Sequence, residues 1–143
     1  MLLSHDLSAA LDRVVPSTLK AAAPATVQVR PRIRGGLPPG ALRRVCEYIE
    51  AHLEENISLQ VLAGIAEKSK HHFARAFKQS TGLTLHGYLV QSRVRRVQEL
   101  LTRTDLSLSE ISLVAGFSDQ SHCARRFREH VGVTPGSYRW SIR

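Results

Sequence analysis

After residue 38 the apolar positions recur almost throughout at helical spacing, and the breaks between runs are occupied by capping residues and glycines. Leu42, Val45, Cys46, Ile49 and Leu53 share one face of a helix over about 40–55, and Arg43, Arg44, Glu47, Glu50 and Glu54 share the other; Asn56 is its stop. Ser58 caps a short second helix with Leu59, Leu62, Ala63 and Ala66 on its apolar side. Ser69 caps a third over about 70–81 that ends at Gly82. Thr84 opens a long fourth helix reaching about Arg103, with Leu85, Tyr88, Leu89, Val94, Val97, Leu100 and Leu101 as its apolar set and a length of roughly 27 Å. Ser107 and Glu110 then form an S-x-x-E capping box ahead of Ile111, Val114 and Ala115. Gly116-Phe117-Ser118 makes a turn, a helix follows over about 119–130 to Gly132, and Thr134-Pro135 opens a last helix with Tyr138 and Trp140 available to cover the core. Two short helices joined by a tight turn, occurring twice, predict an all-α fold with two helix-turn-helix subdomains bridged by a long central helix.

The first 38 residues follow another pattern. Leu3, Leu7, Leu11 and Val14 are spaced as one stripe of a short amphipathic helix, Pro16 and Pro24 interrupt it, and Val27–Pro39 mixes Arg, Pro and Gly without a period. The expected organisation is therefore a short helix and a flexible basic linker over 1–38, then an all-helical domain over 39–143. Within that domain the first helix-turn-helix spans about 58–82, the linking helix 84–103 and the second helix-turn-helix 107–131. Arg30, Arg32 and Arg34 on the linker read as a solvated tail.

The long domain says the same thing twice. Ser58-Leu59 recurs as Ser107-Leu108, Ala66 as Ala115 and Ser69 as Ser118. One residue out of phase, His72 recurs as His122, Arg75 as Arg125, Phe77 as Phe127, Gly82 as Gly132, Thr84 as Thr134 and Tyr88 as Tyr138. A tandem duplication with one inserted residue explains that register, and two copies of one unit present two equivalent surfaces to one long ligand.

Charge says which kind. The 143 residues carry 20 Lys and Arg against 12 Asp and Glu, a net +8, which favours a polyanion such as nucleic acid or an anionic membrane surface. No stretch approaches the roughly 18 apolar residues of a membrane span, and no secretory leader is legible, so a cytoplasmic location is expected. Cys46 and Cys123 lie within helical apolar patterns and read as reduced, buried thiols. His71-His72 and His122-Cys123 are adjacent pairs that diverge by about 100° on a helix, so no metal site is expected. Nucleophile elbow, phosphate loop and paired catalytic carboxylates are missing, so neither an enzyme nor a cofactor is expected.

In the third helix Phe73 and Phe77 point inward, which turns His71, Ala74, Arg75 and Lys78 outward; Ser121, Ala124, Arg125 and Arg128 form the same stripe in the second copy. Small residues mixed with arginine suit the major groove, since Ala permits close approach and Arg pairs bidentately with guanine. Gln120 is placed to read adenine, and Asp119 is a cap rather than a reader. Lys70, Lys78, Arg126 and Arg128 are the candidate phosphate contacts, and the recurrence of His72 as His122 points to a shared structural or phosphate-side role.

The run I-x-x-x-A-G-F-S-D-Q-S-H-C-A-R-R-F-R followed by G-V-T-P-x-x-Y, with S-L-x-x-L-A, S-K-H-H-F-A-R-A-F-K and T-G-L-T in the first copy, resembles the DNA-binding domain of the AraC/XylS family of bacterial transcription regulators. The resemblance covers 39–143. It implies seven helices, binding to double-stranded promoter or operator DNA by two recognition helices in successive major grooves, and activation by contact with RNA polymerase. Relatives usually carry a further effector or dimerisation domain. The resemblance therefore implies either a stand-alone regulator or the C-terminal part of a longer one, with self-association through residues 3–15. Two departures stand out. Glu67-Lys68 occupies the place of Gly116-Phe117, where the family has Gly and an apolar residue, so the first reader is expected to be strained or loosely docked and the second to supply most of the affinity. Cys123 replaces the equivalent of Phe73, leaving core volume for a neighbour to fill. The competing readings are a non-specific architectural DNA binder and a protein-interaction module with a weakened first reader.

Overall fold

The computed structural model describes residues 34–143; the stripe at 3–15 and the linker through residue 33 lie outside the described residues. Seven helices and no strands occur among them: α1 Pro39–Ala51, α2 Leu59–Ile65, α3 Lys70–Thr81, α4 Leu85–Arg103, α5 Leu108–Ala115, α6 Gln120–Val131 and α7 Pro135–Ile142. The chain divides into two compact units whose boundary falls inside α4, between Ser92 and Arg93.

In the first unit the caps are those the sequence names. Ser58 Oγ accepts from the backbone N–H groups of Gln60 and Val61, Ser69 Oγ from His72, and Thr84 Oγ1 from Gly87. Each satisfies helix-start donors that otherwise have no partner. Val45 and Ile49 of α1, Leu62 of α2, Phe73 and Phe77 of α3 and Tyr88 of α4 are fully buried and make one core. Tyr88 meets Phe77 edge-on at 5.2 Å, and its hydroxyl pairs with the Cys46 thiol. Burial raises the pKa of that thiol and of the Tyr88 phenol, so both stay protonated at neutral pH.

The second unit repeats the scheme. Phe127 of α6 meets Tyr138 of α7 edge-on at 5.4 Å, the counterpart of Phe77 and Tyr88, and Thr134 Oγ1 caps α7 at Ser137 as Thr84 caps α4. The capping box is complete: Ser107 Oγ accepts from the Glu110 N–H at 3.1 Å and Glu110 Oε1 from the Ser107 N–H at 3.0 Å. Cys123 is fully buried where the first copy has Phe73, and the buried Ser112, counterpart of Ala63, sits against its thiol. The hydroxyl of Ser112 also donates to Leu108 O at 2.7 Å, so its polarity is satisfied while its volume fills part of the space. Both cysteines are free thiols.

Five expectations are corrected. α1 stops at Ala51 rather than Glu55: the His52 N–H turns back to Ile49 O at 3.1 Å, and His52 Nδ1, 2.8 Å from Tyr48 O, donates to that carbonyl. A tightened turn, with Leu53 still buried, replaces the last helical turn. The linker does not extend to residue 38, because Leu37 is buried in the first core and its N–H donates to Ser80 Oγ at 2.8 Å. Val114 is partly exposed, and α5 buries Ile111, Ser112 and Ala115 instead. Trp140, 85% exposed, does not cover the core. Finally, α4 buries Gln91, Ser92, Arg95 and Gln98 along with its apolar set, while Leu85 and Leu100 are only partly buried. Tyr88 to Ser92 are five consecutive buried residues, so that stretch is enclosed on every side and an amphipathic stripe understates its burial.

Candidate nucleic-acid interface

Each recognition helix is fixed from its buried side. Phe73 and Phe77 have no exposed surface and Ala76 almost none, so the opposite face of α3 is turned to solvent. On that face lie Lys70, His71, Arg75 and Lys78, all exposed, with Ala74 half-buried between them. Cys123 and Phe127 anchor α6 in the same way. There Gln120, Ser121, Arg125 and Arg128 are exposed, and Ala124 and His122 half-buried. Both sequence-named stripes therefore emerge as continuous surfaces, each within its own unit. Both helices end on a glycine in the left-handed conformation, Gly82 at φ 78° and Gly132 at φ 96°.

The turns that aim these helices share one backbone. In the second unit the Gly116 N–H bonds to Leu113 O and the Phe117 N–H reaches back five residues to Ser112 O at 2.9 Å; Gly116 has φ 99°. In the first, Glu67 bonds to Gly64 O, Lys68 reaches Ala63 O at 2.9 Å, and Glu67 has φ 57°. Glu67 is the sole non-glycine residue at positive φ among the described residues. The expected strain is present, localised at one residue. Loose docking is not: the hydrogen bonds match and the Phe73–Phe77 pair is fully buried.

The departure at residue 68 reaches the next helix. Phe117 is buried and its ring meets His122 edge-on at 5.4 Å, with His122 Nδ1 3.4 Å from Ser118 Oγ. His72, with Lys68 in place of Phe117, is exposed. The two recurrent histidines thus differ, and His122 is partly structural. Asp119 is the cap that the sequence suggests, its Oδ1 accepting from the His122 N–H at 2.8 Å. Arg126 is paired with Glu129 at 3.1 Å and about a third exposed, which makes it a weaker phosphate candidate than Arg128. Arg139 is a residue that the sequence does not mark: its guanidinium lies on the backbone carbonyls of Leu101 in α4 and of Thr104 and Leu106 in the connection to α5. Its partners are 33–38 residues away, so no local pattern marks it.

Two helix-turn-helix units, each with an exposed arginine-bearing recognition helix, define a DNA-binding architecture. Residues 62–141 match the family described as a helix-turn-helix domain, and the chain belongs to this AraC-type family of transcription-regulator DNA-binding domains. Among its relatives are a helix-turn-helix transcriptional regulator of Staphylococcus aureus (strain COL), 35% identical over 68% of this chain and 13% of that protein, and the probable transcriptional regulator LumQ of Photobacterium leiognathi, 33% identical over 67% of this chain and 39% of that one. The chain spans well under half the length of these relatives. A similar solved structure is the DNA-binding domain of the global transcriptional factor AdpA in complex with a target DNA. It has a TM-score of 0.68 and 31% identity, and covers 72% of this chain and 93% of that one. The family is one of DNA-binding regulators and not of enzymes. No helix among the described residues is long and apolar enough to cross a membrane.

Proposed function

We propose that this DNA-binding regulator is sequence-specific and that residues 37–143 form its double-stranded DNA reader, α3 and α6 each entering a major groove. The observation that carries the reading is the pair of stripes, Lys70, His71, Arg75 and Lys78 exposed around a half-buried Ala74 on α3 and Gln120, Ser121, Arg125 and Arg128 exposed beside a half-buried His122 on α6, on helices whose other faces are anchored in packed cores. Arg75 and Arg125 pair with guanine, Gln120 with adenine, and Lys70, Lys78 and Arg128 with phosphates. The duplication and the 19 residues of α4, about 28 Å, support reading of successive grooves about 34 Å apart. In this reading the regulator acts in the cytoplasm at promoters, as an activator contacting RNA polymerase, and the apolar stripe at residues 3–15 is the segment through which it would self-associate.

Selection from a random duplex pool at about 0.15 M salt, followed by titration against scrambled DNA, tests this. The expected product is a site with two preferred patches one helical turn apart, bound at least about a thousandfold better than the scramble. Equal binding to all sequences establishes an architectural binder. Weak binding with a stable protein complex that is lost on deleting residues 1–20 establishes an interaction module. Transcription in vitro from a promoter bearing the selected site reports the direction of regulation.

A further inference from the structure

The connection from α4 to α5 runs through Thr104, Asp105 and Leu106, and it sets where Ser107 caps the first helix of the second unit. The last carbonyls of a helix have no partner within it. Here Thr104 takes that of Leu100, and that of Leu101 is taken, with two carbonyls of the connection, by a side chain from the far end of the unit. Arg139 of α7 donates from Nε to Leu101 O at 3.3 Å, from Nη2 to Thr104 O at 3.0 Å and from Nη1 to Leu106 O at 2.7 Å. One planar guanidinium thus ties three carbonyls from the final turn of α4 to the residue preceding the α5 cap. Arg143, one turn further along, also donates to Leu101 O and Thr104 O and pairs with Asp105 at 2.6 Å. Two arginines four residues apart repel each other, and their convergence here is sustained by the negative end of α4 and by Asp105.

We propose that Arg139 is a positioning residue for the second recognition helix, resting on the DNA-reading function above. Its guanidinium fixes residues 104–106 and so the start of α5. α5 in turn leads through the Gly116–Asp119 turn into α6, which carries Gln120, Ser121, Arg125 and Arg128. The fork geometry is essential, because a lysine ammonium is a compact point charge without the planar fork that reaches the Leu101, Thr104 and Leu106 carbonyls together. Arg143 is secondary: its Asp105 partner is 92% exposed, and such surface pairs contribute little.

The test uses the full chain as Arg139→Ala, Arg139→Lys and Arg143→Ala. Two things are read: binding to the selected duplex over a salt series, and amide hydrogen exchange at residues 104–108. Expected are a loss of about tenfold or more in site affinity for both Arg139 variants, about twofold or less for Arg143→Ala, and faster exchange at 104–108. The dependence of log affinity on log salt should keep its slope, with the loss confined to the bases read by the second unit. A slope reduced by about one, with uniform loss across sequences, makes Arg139 a phosphate contact and overturns the proposal. So does full affinity in Arg139→Lys. If Arg139→Ala fails to fold, Arg139→Lys decides, since it retains charge and most of the volume. If the wild-type chain selects no site, the DNA-reading function fails by itself, and unaltered exchange at 104–108 in Arg139→Lys still overturns the clamp.

Discussion

Glu67 is where the two copies of one turn can be compared atom for atom. Its φ of 57° lies in the left-handed region that Gly116 occupies at φ 99°, and the flanking hydrogen bonds match. A side-chain-bearing residue there costs about 1–2 kcal/mol. Replacing it by glycine also frees the unfolded chain, which costs about 0.4–1 kcal/mol, so relief of strain wins by a modest margin. Glu67→Gly is expected to raise unfolding stability by about 0.5–1 kcal/mol in urea titration, and Glu67→Ala, which keeps the Cβ, to leave it unchanged. Equal gains in both variants would point to the lost charge instead. This position was legible in the sequence because duplication supplies a glycine for comparison. Leu37 was not: a lone apolar residue among Pro, Gly and Arg has no period, and only its burial and its bond to Ser80 show that it belongs to the core.

Among the elements, the two leading helices of the helix-turn-helix units differ at their starts. α5 has the full capping box, whereas α2 has Ser58 followed three residues later by Val61, so its cap is one-sided. Hydrogen bonds from Ser107 hold the Glu110 carboxyl below its ordinary value of 4.5. A carboxylate whose pKa is depressed by folding contributes stability above its unfolded pKa and loses it as the pH falls through the folded one. Wild type should therefore exceed Glu110→Gln in stability at pH 7, and the difference should shrink from about pH 4.5 downward and vanish in stronger acid. A difference independent of pH in denaturant titrations would assign the effect to something other than the charge. The same elements show what a sequence can locate. α3 is bounded to the residue because Ser69 and Gly82 mark both ends. The end of α1 depends on a side-chain bond from His52 to Tyr48 O that no propensity encodes. Tyr138 and Trp140, two apart on a helix, point about 200° from each other, so only one could face the core, and Tyr138 does. Both recognition stripes were legible from the inward phenylalanines, whereas the Arg139 clamp was not, since it joins a side chain to carbonyls distant in sequence.

Across the whole molecule, duplication makes the readers equivalent in plan and the departures make them unequal in detail. The second has a glycine at its turn, Phe117 sealing it and His122 packed on that ring. The first has the strained Glu67, which adds a negative charge at the turn before its recognition helix, together with a half-buried Lys68 in place of the phenylalanine and an exposed His72. In the proposed binding mode that charge opposes phosphates, so the same arginine contact gains less affinity there. A well-placed arginine–guanine pair is worth about 1–3 kcal/mol, roughly 5- to 150-fold in affinity. Arg125→Ala is expected to fall within that range, and Arg75→Ala to cost at most a few-fold on the same duplex. Both arginines lie on exposed faces, so neither change should disturb folding, which thermal denaturation checks. Arg75→Ala weakening binding as much as Arg125→Ala would show that a shared turn geometry outweighs the charge and packing differences, and that both units read with equal strength.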